Sequence, residues 1–168
     1  MKQSHDYIWS VRRNIQIGIT KAEAWEIISS KNHLENFHPF CKVNKVINWS
    51  NSNHKDSIEY YGGRTLVRKF YNWLEGQGYD LVIGDSSGND SQVSWRIKDY
   101  EGGCVVSISI KPYIYNKGSK LLNFFPFFFF VKPKLSNYLA SVLSGLKYYS
   151  EKKKIVQANQ FGNHPWFS

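Results

Sequence analysis

Hydrophobic and polar residues alternate across positions 9–19. Trp9, Val11, Ile15, Ile17 and Ile19 are separated by Ser10, Arg12, Asn14, Gln16 and Gly18, and Arg13 alone breaks the rhythm. A period of two places the apolar side chains on one face of a β-strand. Thr20, with Glu23 three residues on, has the spacing of a capping box, and Ala24, Trp25, Ile27 and Ile28 continue it as a short helical stripe. Leu34, Phe37 and Phe40 predict a second helical turn that Pro39 interrupts. From there the period is again two. Strands are expected at 43–49, 57–61, 64–75, 79–83, 92–98 and 105–115, separated by Ser50-Asn51-Ser52-Asn53, Gly62-Gly63, Gly76-Gln77-Gly78, a cluster around Ser86 and Glu101-Gly102-Gly103. Six consecutive strands with short turns read as an antiparallel meander. The last change of period comes at Leu135, Tyr138, Leu139, Val142, Leu143, Leu146 and Tyr149, the stripe of a long amphipathic helix beginning near Pro133. Lys152, Lys153 and Lys154 stand in its last turn, where cations complement the helix dipole.

Composition narrows the class without naming a ligand. The 168 residues suit one domain, taken as 1–156 with a polar-aromatic tail at 157–168, and 17 % aromatic content excludes intrinsic disorder. Cys41 and Cys104 are too few for a disulfide scaffold and form no C-x-x-C pair. No apolar leader stands at the N-terminus, and the longest apolar run is far short of the roughly 20 residues that cross a bilayer. A cytoplasmic protein with reduced thiols is the expectation. With 22 basic against 13 acidic residues the formal charge is +9. The lysines are spread along the chain and no RNP-like aromatic pair accompanies them, so nucleic acid is not the expected partner.

The order of elements carries the central expectation. An antiparallel sheet of seven strands must bury one face, and the terminal helix, about 35 Å long if about 23 residues are helical, is the only element able to cover it. A helix only about 10–12 Å across cannot fill a curved sheet everywhere, so a cavity is expected between them. Ile15-x-Ile17 followed by Thr20-Lys21-Ala22-Glu23-Ala24-Trp25, then Val93-Ser94-Trp95-Arg96-Ile97 and the final helix, resemble the START/SRPBCC (pollen-allergen-like, helix-grip) superfamily over residues 8–155. Within it the chain looks most like polyketide cyclase/dehydrase-type members. The resemblance implies an α+β helix-grip fold: a seven-stranded curved antiparallel sheet around a long C-terminal helix, with two short helices after the first strand. It also implies carriage or sensing of a hydrophobic or aromatic small molecule or lipid. The superfamily has no single catalytic motif, so no catalytic residue is carried over, and a cyclase/dehydratase enzyme remains the alternative.

Candidate residues follow from that picture. Phe37, His38 and Phe40 would line the cavity mouth, His38 either orienting a ligand or acting as an acid or base. Tyr71, Trp73 and Trp95 would form aromatic walls, with Phe128, Tyr138 and Val142 facing them from the other side. A two-residue turn at Gly62-Gly63 would pair Glu59 with Leu66 and leave Glu59 diagonal to Arg64 and Arg68, Arg68 being a candidate ligand anchor. No H-x-x-x-H or H-E-x-x-H arises among His5, His33, His38, His54 and His164, so neither metal nor cofactor is expected. The run Phe124-Phe125-Pro126-Phe127-Phe128-Phe129-Phe130, flanked by Lys117, Lys120, Lys132 and Lys134, has three readings: a plug of the core, a lid on the cavity, or a membrane-docking edge of a lipid-transfer protein.

Overall fold

A computed structural model of the protein describes residues 7–50, 53–85 and 87–168. The chain runs β1 (Val11–Ile17), α1 (Lys21–Ser29), α2 (Leu34–Phe37), β2 (Cys41–Ser50), β3 (Asn53–Tyr60), β4 (Thr65–Leu74), β5 (Gly78–Gly84), β6 (Ser91–Tyr100) and β7 (Gly103–Lys111). A helical rod follows, made of α3 (Lys120–Pro126), a π-helical turn (Phe127–Val131) and α4 (Lys132–Lys152). His5 lies outside the described residues, as do Asn51, Ser52 and Ser86 of two expected turns.

The sheet has the order β1-β7-β6-β5-β4-β3-β2. Every neighbouring pair is antiparallel, so β1 and β2 form its two edges. This is the expected α+β helix-grip arrangement. Period two is visible in burial: Val93, Trp95 and Ile97 of β6 and Val106, Ile108 and Ile110 of β7 face the core. The capping box closes at the start of α1, where Thr20 Oγ1 accepts from the Glu23 amide (3.2 Å) and Glu23 Oε2 accepts from the Thr20 amide (2.8 Å). Leu135, Leu139, Val142, Leu143 and Leu146 turn the stripe of α4 onto the sheet. At one point α4 touches backbone. A Cβ on Gly145 would lie 2.0 Å from the Phe37 carbonyl oxygen, so only glycine lets α4 ride directly on α2.

Four expectations are corrected. The strand expected from Ser57 begins earlier, at Asn53, so 53–56 belong to β3. The β3–β4 loop has three residues, because Tyr60 pairs with Arg64 (Tyr60 N to Arg64 O, 2.9 Å) and Glu59 stands opposite Thr65. Pairing is thereby displaced by one residue, and Arg68 comes to stand opposite Asp56. In β4 a bulge between Phe70 and Asn72 leaves Tyr71 without a partner on β5, and its side chain is 63 % exposed. Finally, α4 begins at Lys132 with Pro133 in its first turn, as expected, but the phenylalanine run before it is helical too and extends the rod back to Lys120.

Replacing Gly145 by alanine is expected to lower stability by about 1–3 kcal/mol, because the new methyl group meets backbone that cannot rotate away. Urea unfolding of the variant beside the parent measures it; an unchanged midpoint would show that α2 and α4 are free to separate.

Candidate functional site

Between the concave sheet and the rod lies a cavity of about 310 Å³. Ile58, Leu81, Val93, Ile108 and Ile110 supply its sheet wall, and Val131, Leu135, Leu139 and Val142 supply the wall from the rod. Arg64, Asp85, Tyr113 and Ile114 are lining residues that also reach solvent, which marks the open side. The rest of the lining is mainly apolar; besides the partly buried Asn89 and Ser91, two buried polar sets reach it.

The first set is an ion pair. Arg68 Nε donates to Asp56 Oδ1 at 2.7 Å and Nη2 to Oδ2 at 2.5 Å, with the two side chains 4 % and 0 % exposed. Asn44 holds the carboxylate from the other side (Nδ2 to Asp56 Oδ2, 3.0 Å) while its own Oδ1 accepts from the Leu34 amide at 3.3 Å. Burial alone would loosen the proton on Arg68, but the adjacent Asp56 carboxylate outweighs it and holds the guanidinium charged. The sequence-based pairing of Arg68 with Glu59 is corrected here, since Glu59 bonds Lys42 at 2.7 Å.

The second set is a relay. The Phe40 amide donates to His38 Nδ1 (3.2 Å), so a neutral His38 carries its proton on Nε2 and donates it to Tyr138 Oη at 2.9 Å. Tyr138 Oη lies 3.3 Å from Tyr60 Oη. With His38 donating into one end, the two hydroxyls share a single hydrogen bond and one O–H is left over. Desolvation, then the charge of Arg68, lowers the His38 pKa to about 3, so the neutral form persists. Desolvation pushes Tyr60 up to about 12 and Tyr138 well above the usual tyrosine range. Both remain protonated donors at neutral pH.

Of the residues singled out in the sequence, His38, Arg68, Trp95, Tyr138 and Val142 line the cavity. The others do not. Phe37 and Phe40 are buried behind the lining, Phe40 stacking on Tyr138 at 5.7 Å. Trp73 stacks on His54 at 4.1 Å beyond the cavity end, and Tyr71 projects from the outer side of its bulge. Phe128 packs edge-on against Trp9 at 6.2 Å. Arg64, named in the sequence only as a diagonal neighbour of Glu59, also lines the cavity, and sequence reasoning missed Tyr60 and the terminal segment. Phe167 reaches the cavity, 4.5 Å from the Tyr60 ring and 4.7 Å from the Tyr138 ring. It is held there by the Gly62 amide donating to its carbonyl (3.3 Å) and by His164 Nε2 donating to the Lys134 carbonyl (3.1 Å). The available signal was the aromatic content of that segment, since large apolar rings seldom stay in water.

His33 is fully buried with Nδ1 donating to the Ser30 carbonyl (2.6 Å), and desolvation, then Arg68, lowers its pKa to about 3 as well. Each histidine takes up a proton on unfolding at any pH between about 3 and 6.5. Their stabilisation is therefore complete above the unfolded value of 6.5 and is lost as pH falls toward 3. The free energy of unfolding should drop by about 1.4 kcal/mol per pH unit for each histidine in that window. Denaturant titrations across the window measure the slope, and His38→Gln is expected to remove about one proton of it.

No family model matches the sequence, and no curated protein matches it. Solved structures do match. DynU16, from the dynemicin biosynthetic locus, superposes with a TM-score of 0.66 at 11 % identity over 87 % of this chain and 48 % of its own. The di-domain ARO/CYC StfQ from the steffimycin biosynthetic pathway gives 0.65 at 11 % identity, covering 86 % of this chain and 51 % of that one. Ara h 8.0201 gives 0.63 at 12 % identity over 86 % of this chain and 98 % of its own. The chain thus spans about half of the first two and nearly all of the third. At such identities the shared property is the fold, and with its seven-stranded sheet gripping a terminal helix this chain has a helix-grip fold.

Proposed function

We propose that the protein binds a hydrophobic or aromatic small molecule, or a lipid chain, in the cavity between the sheet and α4, for carriage or sensing. The observation that carries this reading is the cavity of about 310 Å³ with a mainly apolar lining and a relay of buried hydroxyls. Its size is at the lower end of ligand pockets, which favours one compact molecule. Polarity narrows the class further. Arg68 is satisfied by Asp56 and is not free to anchor an anion, whereas the relay offers a donor. An apolar wall with one unspent O–H selects a ligand whose body is hydrocarbon or aromatic and whose buried end carries a carbonyl, ether or hydroxyl oxygen.

A second reading, acid–base chemistry of the cyclase/dehydratase kind, is favoured by one observation: His38 communicates with the cavity through Tyr138 and Tyr60. The likeness of fold to a di-domain ARO/CYC supports it. His38 would hold and return a proton through the tyrosine hydroxyls, while Tyr71, expected as a cavity wall, stands outside.

Titration with the fluorescent probe 1-anilinonaphthalene-8-sulfonate tests the first reading. Saturable binding is expected, and Ile83→Trp, which thickens a half-buried lining position, is expected to weaken it about tenfold with the melting temperature kept. Equal binding by both proteins would remove the cavity as the site. Tyr60→Phe combined with Tyr138→Phe should reduce affinity about tenfold for an apolar ketone and leave that for the matching hydrocarbon unchanged. Turnover of a polyketide-like substrate, lost in His38→Ala, would move the conclusion to the second reading.

A further inference from the structure

We propose that the helical face spanning 120–131 is a docking surface for an anionic membrane. Helices of a globular protein bury their apolar stripe, and this one does the opposite. Phe127 and Val131 point into the core, while Leu121, Leu122, Phe125, Phe129 and Phe130 are between 64 % and 83 % exposed. The outward rings form a continuous layer: Phe125 stacks on Phe129 at 6.1 Å, and Phe124 lies 5.5 Å from Phe125 and 4.6 Å from Phe128. Trp9 anchors the layer from beneath, stacking on Phe127 at 5.1 Å. Contiguous apolar surface of this kind marks an interaction site.

Charge identifies the occupant. Residues 102–150 contain Lys111, Lys117, Lys120, Lys132, Lys134 and Lys147 and not one Asp, Glu or Arg, so this stretch supplies six of the nine net positive charges. Among the described residues only Lys147 of these six forms an ion pair. Two of the unpaired ammonium groups sit over the rims of the aromatic layer, Lys132 at 4.8 Å from the Phe128 ring centre and Lys120 at 5.9 Å from that of Trp9. A greasy face edged by long basic side chains matches the interface of a bilayer, where rings enter the acyl boundary and ammonium groups meet lipid phosphates. A second copy of the chain fits poorly, because a two-fold contact through this face would oppose the same lysines. Tyr113 and Ile114 line the open side of the cavity and precede the rod, so the mouth adjoins the surface that would meet lipid. Docking is independent of what the cavity holds.

Sedimentation of the whole chain with vesicles of phosphatidylcholine, alone or containing about 30 % phosphatidylserine, tests it. Pelleting is expected only with the anionic vesicles and should fall at least about tenfold between about 0.05 M and about 0.5 M salt. Lys120→Gln and Lys132→Gln should each weaken it about fivefold. Phe125→Asp with Phe129→Asp should abolish it at an unchanged melting temperature, since both rings are already in water. Ile83→Trp should pellet like the parent, which separates this surface from the proposed ligand cavity. Absence of pelleting with anionic vesicles, pelleting retained by the double aspartate variant, or a dimer that the same variant dissolves while vesicles are ignored, would each overturn the proposal.

Discussion

A carboxylate and a guanidinium withdrawn from water, Asp56 and Arg68, constrain most of what surrounds them. Two charges removed from solvent are tolerable only when each is closely matched, and losing one partner of such a pair typically costs about 3–5 kcal/mol. Here the match is bidentate, and Asn44 extends it to Ser57 on β3 and to the Leu34 amide at the start of α2. The pair therefore ties β2, β3, β4 and α2 into one corner of the sheet. It also acts at a distance. The positive charge of Arg68 adds to burial in keeping His33 and His38 neutral. Neutrality leaves His38 Nδ1 able to accept from the Phe40 amide, and that contact puts the ring's single proton on Nε2, facing Tyr138. A charge pair in the wall thus governs a hydrogen bond several residues away, without touching a ligand.

Period two along β1, β6 and β7 and the long stripe of α4 were readable because burial of one face dominates those segments. The capping box at Thr20 was readable because its chemistry is local. What escaped depended on single-residue counts. Gly62-Gly63 suits a two-residue turn, but Tyr61 joins the loop and the pairing slides by one, so Arg68 meets Asp56 and not Ser57. In β4 the bulge at Tyr71 turns a ring toward solvent that uninterrupted alternation would have placed otherwise. Neither event has a compositional mark, since the same residues satisfy either register equally well.

The phenylalanine run was the hardest to place for a different reason. Burial of large apolar residues is the general expectation, and a proline inside a helix ordinarily removes a backbone hydrogen bond and kinks or ends it. Instead the proline closes α3 and the chain continues helically through it, with the Phe127 amide directed at the Asn123 and Phe124 carbonyls. Of the run only Phe127 is fully committed to the core.

The π-helical turn at Phe127–Val131 is the feature of the rod with the longest reach. It inserts one residue into the winding, which rotates everything upstream by about 100° against everything downstream. This offset lets one rod present an inward stripe at Leu135, Leu139 and Val142 and an outward one at Leu121 and Phe125. Four of the five residues in this turn are phenylalanine, so sliding it by one position would exchange ring for ring at Phe127, Phe128 and Phe129, and only buried Val131 breaks the sameness. The rod accordingly contains a gear with four like teeth and one unlike one, and the angular phase of its two halves is marked by the seat of Val131 in the core.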